Sequence, residues 1–223
     1  MRSVDFEFEK GRGETKDLFE SDFIGQINTR DPKYKETWDE MAKEELRKYE
    51  LGEWKREDGP PAKNYLRLRK AMDLARKFQP GNPSLPQKPF ARDIRLEVIK
   101  LFEEKVLKRK AKPEERMRFR FFTAADGSKE GGANHSPMDK FHGSNAWLEY
   151  SDENGYLSFA TFALLLRGEN RDPQGRNIIV RKSELPDPYI EGEADKYDLA
   201  MKKFAEQVFQ KMFGPEDAKK IRE

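Results

Sequence analysis

Cysteine is absent from the chain. That excludes a disulfide framework, thiol catalysis, and cysteine-held zinc or iron–sulfur sites. Histidine is nearly absent: His135 and His142 are the only two, so one chain cannot supply a three-histidine metal site. Long apolar runs are missing as well. The longest uncharged one, Tyr156 to Leu166, suits a buried strand and falls well short of the roughly 20 residues that span a bilayer. The N-terminus lacks the apolar stretch of a signal peptide. These absences predict a soluble, cytoplasmic protein with no membrane contact. Catalytic signatures are lacking too. There is no Walker-type GxxxxGK[ST], no GxGxxG after a strand, no GxSxG and no HExxH.

What is present is charge. Of the 223 residues, 39% are Asp, Glu, Lys or Arg, yet the net charge is only +2. The charge is unevenly placed: residues 1–60 carry net −5, residues 61–122 net +11, and residues 123–223 net −4. The densest basic run holds Lys105, Lys108, Arg109, Lys110 and Lys112, then Arg116, Arg118 and Arg120. Clustered cations attract polyanions, nucleic acid above all. The competing reading is intramolecular, with the acidic N-terminal third folded over the basic middle. Aromatic residues make up 12% of the chain, enough to build a core.

Periodicity divides the chain. Val4, Phe6 and Phe8 alternate with acids, a short strand or extended arm. Residues 1–32 read as an extended arm, of which 17–32 have apolar residues without a sustained period and form an irregular stretch that packs on something. Pro32 opens a helix of about 18 residues with Trp38, Met41, Ala42, Leu46 and Tyr49 on one stripe and Gly52 past its end. A second helix carries Tyr65, Leu68, Met72, Ala75 and Phe78, so residues 33–78 form a helical pair. Residues 79–90 are proline-rich and cannot be regular structure, so they form a linker or an extended surface segment. A third helix is expected from Ala91 to Lys110, ended by Pro113. The period then changes to two: 117–124, 146–150, 156–166 and 177–182 read as four strands, with turns between them. A final helix spans 194–213. The expected fold is α+β, helices packed on one face of a mostly antiparallel four-stranded sheet. Residues 91–223 form its core and make one compact unit with 33–78. The strand 156–166 is apolar at both alternating sets, so it should be central and covered on both faces.

Candidate chemistry gathers before the second strand, where His135, Asp139, His142, Asn145 and Glu149 follow one another. Imidazole with carboxylates suits Zn²⁺ or Mn²⁺, and carboxylates alone suit Mg²⁺. Asp139, His142 and Glu149 are therefore the candidate catalytic and metal-binding set. The alternative is structural, with Asp139 as a local cap and His142-Gly143 as a tight entry to the strand.

The run from Phe121 to Tyr150, FFTA…SPMDKFHGSNAWLEY, resembles a segment found in uncharacterised bacterial proteins. Its layout is similar to the PD-(D/E)XK family of metal-dependent nucleases. That resemblance implies acids on adjacent hairpin strands holding Mg²⁺ or Mn²⁺, with Asp139, Asn145 and Glu149 near the site. Asn145 stands where that family has an acid, and LSFATFALLL contains neither acid nor lysine. The resemblance thus implies a degenerate, nuclease-like fold that binds nucleic acid without cleaving it. Lys108, Arg109, Lys110, Lys112, Arg116, Arg118 and Arg120 would make the phosphate contacts. Two alternatives stay open: a structural subunit of a larger assembly, with a protein partner for the N-terminal arm, and a metal-dependent hydrolase.

Overall fold

The computed structural model describes residues 21–56, 59–125, 136–165 and 176–214. Helix α1 (Pro32–Glu50) begins where expected: Pro32 occupies the first turn, and the Asp31 side chain accepts from the Lys33 N–H. Helix α2 (Leu68–Lys77) follows, then the proline-rich stretch and α3 (Pro89–Phe102). The third helix is shorter than its apolar stripe suggests. At Glu103 it widens into a π turn, Glu103–Leu107, which ends at Lys108 with φ +56°. A left-handed residue cannot continue a helix, so the chain turns there. Residues 113–117 form a short helix, α4 (Pro113–Met117), so the first strand starts later than its Arg/Phe alternation suggests.

The sheet consists of β1 (Phe119–Thr123), β2 (Ala146–Ser151), β3 (Leu157–Leu165) and β4 (Ile178–Arg181), in that spatial order. A short helix, α5 (Pro137–His142), precedes β2, and α6 (Ala194–Phe213) closes the fold. β1–β2 and β2–β3 are antiparallel, whereas β4 lies parallel to β3, with Phe162 opposite Ile178. A tight hairpin turn cannot join two parallel strands, which corrects the expectation of a turn at that point; residues 166–175 lie outside the described residues. β3 is central and buried along most of its length, as its double apolar pattern requires.

Helices cover both faces of the sheet, which corrects the one-face expectation. Phe119, Phe121, Leu148, Ala160, Phe162 and Leu164 point to one side, where α3 and α6 supply Phe90, Ile94, Val98, Phe204 and Val208. Phe122 and Trp147 point to the other, against Tyr34, Leu66, Met72 and Leu74 around α1 and α2, with Met138 of α5. Strand side chains alternate, so each strand feeds both cores at once.

β1 is an edge strand, and the proline-rich stretch lies along it. The outward N–H of Phe121 donates to Pro83 O at 2.8 Å. That of Thr123 donates to Gln79 Oε1 at 3.0 Å, while Gln79 Nε2 donates to Thr123 O at 2.7 Å and Ala75 O at 2.8 Å. Ser84 Oγ donates to Met117 O. Prolines lack the N–H to form a ladder, but one carbonyl and one glutamine satisfy this edge. Of the arm, residues 1–20, with the Val4, Phe6 and Phe8 alternation, lie outside the described residues; in the rest Phe23 and Ile24 enter the first core, Ile27 the second, and Ile27 N donates to Ala125 O. Among the described residues, no helix is long and apolar enough to cross a membrane.

Candidate functional site

Alternation along β2 sends Ala146, Leu148 and Tyr150 to one core and Trp147 and Glu149 to the other. Glu149 is thereby carried inside, with no exposed surface at all. A lone buried carboxylate is prohibitively costly, so it must be paired. Two guanidiniums do this. Arg76, from the last turn of α2, places Nη2 2.5 Å from Glu149 Oε2, and Arg120 on β1 places Nη2 2.7 Å from Oε1. Trp147 Nε1 donates to Oε2 at 3.2 Å. Trp147 stacks on Phe122 with ring centroids 4.8 Å apart and planes 9° apart. Arg76 and Arg120 both lie over the Phe122 ring, at 5.7 and 5.8 Å. Glu149 is the carboxylate of an arginine–aromatic keystone, and a metal ion would have to displace two guanidiniums to reach it.

Asp139 and His142 sit elsewhere, on α5. Ser136 caps this helix by accepting from Asp139 N at 3.3 Å, and its own hydroxyl donates to Ala124 O. His142 Nε2 lies 2.9 Å from the carbonyl of Leu66. A carbonyl accepts only, so Nε2 carries the proton and only Nδ1 keeps a lone pair. Burial holds the imidazole below its ordinary pKa, opposed by the Leu66 hydrogen bond and aided by the charges of Arg176 and Arg56. Asn145 is committed to the sheet: its Oδ1 accepts from Leu164 N at 2.6 Å, and its backbone N–H donates to Phe162 O. Among the described residues, no three His, Asp or Glu side chains come close enough to hold a metal ion. The expected Asp139–His142–Glu149 set is therefore not assembled as a centre for Mg²⁺ or Mn²⁺. His135 lies outside the described residues.

The basic run is largely answered from within. Glu103, at the start of the π turn, is buried and accepts from Arg116 at 2.6 Å, Lys110 at 3.0 Å and Ala111 N at 3.1 Å. Burial raises its pKa, but these bonds outweigh it and hold the carboxyl below the usual range. Arg109 grips Glu115 through both guanidinium nitrogens, at 2.7 and 2.8 Å, Arg118 meets Glu153 at 2.7 Å, and Arg120 meets Glu149. Most of these carboxylates are local or come from the β2–β3 turn, not from the acidic N-terminal third. That third contributes Glu45, which is buried and bound by Arg67 at 2.5 Å. Lys108 and Lys112 stand exposed, with no described carboxylate in ion-pair contact.

An open groove of about 430 Å³ lies between the arm and the proline-rich stretch, lined by Ile24, Leu85, Pro86, Phe121 and Gln79. Ser21 and Lys88 also line it, and the Gln79 amide is spent on backbone groups. No local signal in the sequence points to Arg76 as one of the two partners of Glu149, because it lies 73 positions away. No protein-family model, curated protein or solved structure matches this chain.

Proposed function

We propose that this is a non-catalytic, nucleic-acid-associated protein with a degenerate nuclease-like site, making its phosphate contacts through the turn from Lys108 to Lys112. One observation carries the reading. Lys105 of the basic run pairs with Glu206, and its other seven cations face four carboxylates among the described residues: Glu103, Glu115, Glu149 and Glu153. The surplus sits on exposed side chains, with Lys110 at 83% side-chain exposure. Exposed ion pairs are worth about 0–1 kcal/mol. Arg109 and Arg118 can therefore exchange a carboxylate for a phosphate at small cost, and Lys110 can leave Glu103 because Arg116 and the Ala111 N–H still hold that carboxylate. Arg120 cannot, since leaving Glu149 would strand a buried charge, and Arg116 is similarly held by buried Glu103. The phosphate-binding set thus narrows to Lys108, Arg109, Lys110, Lys112 and Arg118. The two guanidiniums on Glu149 and the sheet bond of Asn145 support the absence of catalysis.

The test is anisotropy of labelled DNA and RNA titrated with the protein at two salt concentrations, with the products run on a gel in Mg²⁺ or Mn²⁺. The expected result is intact nucleic acid and salt-sensitive binding. Replacing Lys108, Lys110 and Lys112 together by Ala should flatten the salt slope by roughly 3, about one per lost phosphate contact. Absent or salt-independent binding overturns the reading, and cleavage of the nucleic acid restores the hydrolase alternative.

A second reading, a subunit of a larger protein assembly, is favoured by the exposed neighbours Tyr189 at 74% and Ile190 at 53%. Sedimentation that shows association, abolished by changing both residues to Ser, would establish it.

A further inference from the structure

The buried carboxylates Glu45, Glu103 and Glu149 are each bound by a guanidinium. The converse does not hold. Arg95, on α3, is the one buried cation among the described residues, at 5% exposed. Its Nε donates to Phe119 O at 2.7 Å and its Nη2 to Arg116 O at 2.6 Å. Both acceptors are neutral carbonyls, one on the edge strand β1 and one in the last turn of α4. No described carboxylate is in ion-pair contact with it. Burial, and then the Arg116 charge, bring its pKa down to about 10 from an ordinary 12.5, so it stays protonated at neutral pH.

The third nitrogen, Nη1, has no acceptor among the described residues. It is not one of the fully buried atoms that lack a partner, so it reaches the surface. Arg116 is placed in the same way. Its Nε and Nη2 both hold Glu103 Oε1, at 3.1 and 2.6 Å, which leaves its Nη1 without an acceptor. The Arg116 side chain is 44% exposed. One guanidinium is thus recessed and the other stands at the rim. Each keeps an N–H group to give while its structural bonds stay made.

A buried charge with no opposite charge is costly, and an anion that meets it removes that cost. Guanidinium N–H groups bind carboxylate and phosphate alike. Two guanidiniums on separate elements favour phosphate, whose tetrahedral oxygens can face both at once. The position favours it too. Arg116 lies four residues along α4 from Lys112, about 6 Å of helix rise, so the pair adjoins the phosphate-binding turn. We propose that Arg95 and Arg116 form a recessed phosphate site at the C-terminal end of α4, taking one backbone phosphate of the nucleic acid that the turn binds. The inference rests on the nucleic-acid reading above and adds to it Arg95, a contact outside the basic run.

Arginine side-chain NMR tests it on the wild-type protein. The Arg95 Nε–H signal, assigned through its contact with Phe119, reports on the site. Inorganic phosphate exchanged for chloride at constant ionic strength should shift this signal to saturation, and acetate should not. An oligonucleotide should shift the same signal. The phosphate shift should persist when Lys108, Lys110 and Lys112 are all replaced by Ala. Arg95→Gln keeps N–H donors for the two carbonyls and loses the charge. It should weaken nucleic-acid binding about tenfold and lower the salt slope by roughly 1. A signal that moves with neither phosphate nor oligonucleotide overturns the site, and the turn still stands if the oligonucleotide binds. A phosphate shift in a protein that binds no nucleic acid overturns the nucleic-acid source and assigns the site to the free ion. An equal shift with acetate overturns the phosphate assignment in favour of a carboxylate ligand.

Discussion

Arg120 on β1 and Glu149 on β2 stand directly opposite in the antiparallel ladder, and their side chains meet at 2.7 Å under a carboxylate with no exposed surface. Arg76 reaches the other oxygen of the same carboxylate from α2. One residue thus ties the edge of the sheet to the helical layer that covers it.

Removing that carboxylate leaves two guanidiniums facing each other across an apolar pocket. Glu149→Gln should destabilise the protein by about 3 kcal/mol, the low end for a broken buried ion pair because both arginines are partly exposed. For a chain of this size that is a fall in Tm of roughly 6–12 °C, read by circular dichroism or calorimetry. Arg120 Nε is buried with no acceptor among the described residues, so the triad is incompletely satisfied. The triple replacement Arg76→Met, Arg120→Met, Glu149→Leu should therefore recover wild-type Tm or exceed it. A Glu149→Gln protein as stable as wild type would show that the keystone is dispensable.

Acid should weaken the basic turn. The Arg109 guanidinium beside Glu115, with the Lys112 backbone N–H, holds that carboxyl at about 2 against an ordinary 4.5. A pKa depressed on folding contributes stability that is complete above the unfolded value and disappears as pH falls through the folded one. The Glu115 contribution should be full above pH 4.5 and lost between there and pH 2. Denaturant unfolding of wild type and Glu115→Gln across that range checks this. The gap between the two proteins should close as pH falls, and a constant gap would contradict it.

The strap over β1 depends on Gln79, whose single amide serves Ala75 O, Thr123 O and Thr123 N. Gln79→Ala should cost about 2 kcal/mol by leaving buried backbone groups unpaired, a Tm drop of roughly 4–8 °C. It should also raise light scattering on heating, because an uncovered edge strand pairs with other chains. Unchanged scattering would mean that Pro83 and Ser84 suffice to protect the edge.

Lys108 separates stability from binding. Its φ of +56° is strained for a side chain and costless for glycine. Lys108→Gly should stabilise the fold by about 1 kcal/mol while weakening nucleic-acid binding, because it relaxes the turn and removes one exposed cation. Chemical denaturation and anisotropy on the same preparation give both numbers. Loss of stability would mean that the lysine side chain anchors the turn.

Much of this fold is legible in local pattern. Pro32 and the stripe through Met41 and Ala42 announce α1. The stripe Tyr197, Met201, Phe204 and Val208 announces α6, and all four of those side chains are buried in it. The double apolar character of 156–166 marks β3 as central. These follow from the chain itself, because helix and strand periods report which side chains turn inward whatever they turn toward. Tertiary structure decided the rest. The parallel pairing of β4 with β3, the cover on both sheet faces, and the strap on β1 depend on partners far along the chain. So does the identity of the candidate site. From sequence, Glu149 is a carboxylate in a cluster that could be a metal centre or a structural cap and strand entry, and the run to Arg120 is a block of cations whose partners, nucleic acid or internal acids, are open. Folding brings Arg76 and Arg120 onto Glu149, and Glu103 onto Arg116 and Lys110. Charge can be counted in a sequence, but whether it is neutralised depends on distance and burial, and both exist only once the chain has folded.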